Sequence, residues 1–129
     1  MNLLLSCLGG ATAAVWGVIH LVPTRKVAAD FGHITEDNRH IITMEWIAEG
    51  ALLIFSGALI FSGAVVILVG AIDQHTAAAR VASDASAVTL IAMAIVSAFT
   101  GFKAKVLPFR LCPAIFMLSA GLILAGIYA

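Results

Sequence analysis

Four hydrophobic runs, 3–22, 47–70, 82–102 and 111–129, leave this chain few ways to fold. Each is close to the 20 or so apolar residues that an α-helix needs to cross a bilayer. Together they take up most of the 129 residues, and a small domain has too much surface for the remainder to cover them. Charged residues make up 11% of the chain, against about 25% in an ordinary soluble domain. None of the runs alternates apolar with polar residues as a barrel strand does, and lipid tolerates only helices or closed barrels. The expectation is an all-α integral membrane protein with one membrane domain, 1–129. Its four-transmembrane-helix bundle should be up-down-up-down, with helices at about 3–22, 36–70, 82–102 and 111–129.

Composition removes several other classes. Seven basic and seven acidic residues cancel, which argues against a nucleic-acid partner. The apolar content excludes disorder. Cys7 and Cys112 are too few for a disulfide framework.

The first run has no basic residue ahead of it and only six residues before Cys7. A secretory signal needs a basic start and a longer apolar stretch, so 3–22 reads as a retained helix. Arg25, Lys26 and Arg39 lie between the first and second runs, and Lys103, Lys105 and Arg110 between the third and fourth. Only Arg80 lies between the second and third. Basic residues stay on the cytoplasmic side. This split predicts a multi-pass protein of the cell (inner) membrane, both termini on the non-cytoplasmic side, with 23–38 as a cytoplasmic segment.

The second helix should start well before its apolar run. Thr35 is a candidate N-cap, with Glu36 and Asp37 in the first turn, where the helix dipole favours acids. Pro23 should end the first helix, and Pro108 and Pro113 punctuate the start of the fourth.

At about 100° per residue, small and polar residues form stripes. His20, Gly17, Trp16, Ala13, Gly9 and Ser6 share one side of the first helix. Glu45, Glu49, Ser56, Gly63 and Gly70 share one side of the second, and Ser86, Thr89, Met93, Ser97 and Thr100 one side of the third. Cys112, Ser119 and Gly126 repeat every seven residues on the fourth. Small residues let membrane helices approach closely, so most of these stripes read as packing seams, and their surplus over what one pocket needs favours a homo-oligomer over a monomer. Cys112 reads as a small apolar filler. Asp84 reads as an i,i+4 partner of Arg80, and Asp73 and His75 as ordinary outer-loop residues.

Chemistry concentrates in one stretch. Five of the seven acids (Asp30, Glu36, Asp37, Glu45 and Glu49) lie there, with His20, His33 and His40 in or beside it. Counting back about 20 residues from Val69 sets Glu49 at the cytoplasmic boundary of the hydrocarbon, level with His20. Ionisable groups at that depth face a bundle interior or a cavity. Glu45, Glu49 and His20 are therefore the candidate catalytic residues, with Trp16, Trp46, His33, Asp30 and Ser56 around them for substrate binding. Two carboxylates and an imidazole suit general acid–base work. The expectation is a cofactor-independent isomerase, cyclase or hydratase acting on a small lipophilic molecule. A proton-coupled small-molecule transporter and an accessory subunit of a membrane complex are the alternatives.

No cofactor is expected, since the sequence has no phosphate loop, no Cys pair at metal spacing and no His-Glu-x-x-His. A mixed shell of His20, His33, Glu45 and Glu49 is conceivable for a metal. However, the Glu-x-x-His pairs of a bundle di-iron site are missing, and no metal is expected.

Overall fold

The computed structural model describes residues 1–70, 77–101 and 107–129, with 107 and 108 by backbone alone. Asp73, His75, Lys103 and Lys105 lie outside the described residues. Among those described the chain is helical throughout: α1 Leu3–Leu21, α2 Thr24–Asp30, α3 Glu36–Leu68, α4 Ala77–Gly101 and α5 Leu107–Tyr128. Four of them, all but α2, are long and apolar enough to cross a membrane.

Local chemistry sets the boundaries. Asn2 caps α1 by accepting from the Leu5 N–H at 3.2 Å. Val22 keeps helical backbone angles and its N–H still reaches the Val18 carbonyl at 3.2 Å; the ladder stops at Pro23, which has no N–H to donate. The chain restarts at once as α2, where the Thr24 hydroxyl donates to the Leu21 carbonyl. This short helix falls within the segment 23–38, for which no separate helix is expected from the sequence. Gly32, at φ +70°, then turns the chain, a conformation that costs a glycine little. The Arg39 guanidinium donates to the Ala28 carbonyl at 2.7 Å and the Gly32 carbonyl at 3.0 Å, tying this excursion to α3. Thr35 caps α3, accepting from the Asn38 N–H at 3.3 Å. The 33 residues of α3 make a rod of about 50 Å at about 1.5 Å per residue, longer than a bilayer core is thick.

Two starts differ from expectation. The fourth helix in chain order, α4, begins at Ala77 and not 82, since Ala77, Ala78 and Ala79 are the best helix formers. The last, α5, begins at Leu107 and not 111, since a proline is tolerated in a helix's first turn. Further along α5, Pro113 stands inside the helix and deprives the Phe109 carbonyl of its i+4 donor. That carbonyl faces Gly101 at the end of α4, so closely that a Cβ there would collide with it.

The long helices pack in a ring. α1 lies against α3 and α5, α4 against α5, and α3 and α4 meet along a lesser seam. Two glycine pairs bring α1 and α3 together: Gly10 lies at Gly57 and Gly17 at Gly50, where a Cβ on Gly17 would sit 2.8 Å from the Gly50 carbonyl oxygen. The heptad stripe of α5 does form a seam with α1. The Ser119 hydroxyl donates to the Gly9 carbonyl at 2.6 Å, and Gly126 abuts Ser6. Such close approach with an interhelical hydrogen bond is how helices associate in lipid.

The expected seams of α3 and α4 are rotated. Ser56 is buried, but Gly63 has no described atom in reach of an added Cβ and Gly70 is exposed. The buried face runs instead through Gly50, Leu53, Gly57, Ile60 and Ala64. On α4 the buried line is Ser83, Ser86, Ala87, Leu90 and Ala94, while Thr100 is exposed and turns its hydroxyl back to the Val96 carbonyl. Serine and threonine close such backbone bonds locally, so they need no neighbouring helix. Asp84 accepts from the Tyr128 hydroxyl at 3.2 Å, and no ion pair with Arg80 is found among the described residues. Phe116, Leu53, Leu90 and Ile123 are fully buried, whereas Val22, Leu68 and Phe99 stand more than 70% exposed. An apolar exterior over an interior with small-residue seams suits lipid as the surrounding solvent.

Candidate functional site

The last turn of α1, the middle of α3 and the start of α5 converge on one polar cluster. A helix end leaves its last carbonyls unpaired, and His20 lies in that turn of α1. Its carbonyl accepts from the Trp46 indole N–H at 2.8 Å. The same indole stacks on the His20 imidazole, ring centres 3.8 Å apart and planes 16° off parallel. Phe109 meets Trp46 edge-on at 5.2 Å. The imidazole is thereby fixed in plane and position.

Glu49 follows Trp46 by three residues, so both lie on one face of α3. The close approach at Gly17 and Gly50 brings that face up to α1. Glu49 Oε2 lies 3.5 Å from His20 Nε2. The His20 side chain is 4% exposed and that of Glu49 33%, so the pair is covered on the histidine side and reachable on the carboxylate side.

Cys112 completes the cluster. It is buried, and its Sγ, a Glu49 oxygen and a His20 nitrogen all lie within 4.8 Å of one another. The Trp16 indole lies against the thiol. Each of the three helices thus supplies one polar group and one aromatic: His20 with Trp16, Glu49 with Trp46, Cys112 with Phe109.

Of the residues singled out from sequence, the structure gathers His20, Glu49, Trp46 and Trp16. Glu45 is exposed one turn away and makes no hydrogen bond or ion pair among the described residues. Asp30 and His33 are exposed at and beyond the end of α2. Ser56 is buried two turns further along α3, donating to the Leu52 carbonyl. The sequence reading missed Cys112 as a site residue. Its signal was the seven-residue spacing to Ser119 and Gly126, which sets all three on the α1 seam.

An open groove of ≈ 380 Å³ begins at Trp16 and continues along the outer side of α1 and α5, lined by Leu8, Ala11, Thr12, Val15 and Ile115. It is apolar apart from Thr12 and Trp16.

Among the described residues the geometry defines an all-helical bundle with four helices long and apolar enough to span a membrane and a half-buried polar cluster at His20, Glu49 and Cys112. No family model, no curated protein and no solved structure matches the chain.

Proposed function

We propose that the chain is a multi-pass membrane protein whose His20–Glu49 pair exchanges protons with a small lipophilic molecule, as an acid–base enzyme of isomerase, cyclase or hydratase type. The observation that carries this reading is the pair itself, 3.5 Å apart on two helices with the imidazole held under Trp46. A carboxyl and an imidazole so placed can divide the acid and base roles. The open apolar groove on the flank of α1 and α5 supports a lipophilic substrate, since Trp16, a neighbour of Cys112, is among its lining residues. Glu45 supports the reading less, being exposed. Deuterium exchange tests the proposal. Protein in vesicles of the host's own lipids, in D2O with a chelator, is expected to place deuterium on carbon in a lipophilic component. Glu49→Gln should reduce the rate at least about 100-fold, the usual scale for a general acid or base. Equal exchange in both, or none in either, would sink it.

The same proposal includes an up-down-up-down order, with both termini on the non-cytoplasmic side of the cell membrane. The registers along the seams support alternating directions: Gly10 meets Gly57 while Gly17 meets Gly50, and Gly9 meets Ser119 while Ser6 meets Gly126. Arg25, Lys26 and Arg39 then share one side with Arg110, as basic residues of cytoplasmic loops do. A reporter fused after Ala129 should be active only in its external form. A cytoplasmic signal reverses the orientation.

A further inference from the structure

The acid–base reading uses two members of the cluster and leaves the third unexplained. We propose that His20, Glu49 and Cys112 together bind a divalent transition metal of the zinc class, each giving one ligand atom and leaving a fourth position open. The inference goes beyond the acid–base reading and does not rest on it.

Geometry comes first. In a tetrahedral zinc site the N, O and S ligand atoms stand about 3.3–3.7 Å from one another, given bonds of about 2.0–2.3 Å. The His20–Glu49 separation is 3.5 Å already. All three ligand atoms lie within 4.8 Å of one another, so closing the set on an ion shortens the longest separation by no more than about 1.5 Å.

Unsatisfied polar atoms give an independent sign. Three buried side-chain polar atoms lack a well-formed hydrogen bond among the described residues: Ser6 Oγ, Trp16 Nε1, which lies against the weakly accepting Cys112 sulfur, and His20 Nε2, which faces Glu49 at 3.5 Å. Two of them converge here. Such groups are rare in native structures and call for an explanation. A metal takes up the lone pair of His20 Nε2. Once the Cys112 thiol loses its proton to the solvent on binding, the thiolate becomes a strong acceptor for the Trp16 N–H beside it.

Charge closes the argument. A dication with one thiolate, one carboxylate and a neutral imidazole is neutral as a unit, which is what an apolar helical bundle tolerates. The donor set of one nitrogen, one oxygen and one sulfur favours zinc over magnesium or calcium, which take oxygen alone. Three protein ligands with a place for water or substrate are the pattern of a catalytic site, not a closed structural one. Glu49, one-third exposed, supplies the way in. In the loaded protein, proton exchange would pass to the water at the fourth position.

Cobalt reports on this directly. Full-length protein in detergent, stripped with chelator and titrated with Co2+, should take up one equivalent. It should show tetrahedral visible bands and a thiolate-to-cobalt charge-transfer band, bleached by one equivalent of Zn2+. Cys112→Ala should lose the charge-transfer band, whereas Cys7→Ser keeps it. His20→Asn should weaken Co2+ binding by more than the roughly 10–100-fold that a supporting residue costs. Circular dichroism of each variant separates loss of ligand from loss of fold. A missing thiolate band in folded wild type, or one that survives in Cys112→Ala, overturns the site. Deuterium exchange that persists in chelator while the cobalt band is absent leaves the acid–base pair standing without the metal. A cobalt band with no exchange in chelator does the reverse.

Discussion

Gly57→Leu should leave little folded protein, while Gly63→Ala, six residues along the same helix, should cost nothing. At Gly57 even a Cβ would lie 2.5 Å from the Gly10 carbonyl oxygen and 2.7 Å from the Ala14 Cβ. One of those is backbone, so relief requires α1 to move as a whole. Overpacking of a dense interior typically costs about 1–3 kcal/mol and sometimes more, and four added carbons against a backbone belong at the upper end. At Gly63 an added Cβ meets no described atom within 4 Å. There the substitution should gain up to about 1 kcal/mol through helix propensity alone. Thermal unfolding in detergent, followed by helical circular dichroism, measures both. Equal midpoints for the two variants would show that α1 and α3 do not meet along this line.

Trp46→Ala should be the second most damaging change. It removes a stack on His20, an edge contact with Phe109 and the hydrogen bond to the His20 carbonyl in one step. A tryptophan truncated to alanine in a core costs about 3–5 kcal/mol. Trp46 is half-buried, which brings the expectation to about 2–3 kcal/mol on the same scale. Trp46→Phe keeps an aromatic face on the imidazole and loses only the donor, for about 1 kcal/mol. The two variants should therefore separate clearly in an unfolding titration. If they coincide, the stack contributes nothing and the indole N–H alone carries what Trp46 adds to the α1–α3 contact.

Much of the fold follows from run length alone: four apolar stretches of spanning size dictate four long helices, and the structure has them. The helix faces were harder to read. On α3, glycine and serine stripes exist on adjacent sides: on the Glu49–Ser56–Gly63 line only Ser56 is buried, and the deeper face runs through Gly50 and Gly57. Composition does not show which side another helix occupies. The Gly50–Gly57 line wins because Gly10 and Gly17 on α1 carry the same seven-residue spacing, a match visible only when two segments are compared. Depth counting brought His20 and Glu49 to one level, and the structure pairs them. Depth says nothing of azimuth, so Glu45, one turn from Glu49, was grouped with it although the helix carries it out to the surface. Cys112 escaped because a buried thiol in an apolar run looks like a small side chain until its neighbours are known.

Chain order has a consequence for how the cluster comes into being during synthesis. His20 and Glu49 belong to the first two long helices, and they can meet as soon as that hairpin exists. Cys112 is supplied by the last long helix, more than sixty residues later, several seconds behind at about 5–20 residues per second. A nascent chain therefore holds the imidazole–carboxylate pair before it holds the thiol. The complete His20–Glu49–Cys112 cluster exists only in molecules in which α5 has docked on α1.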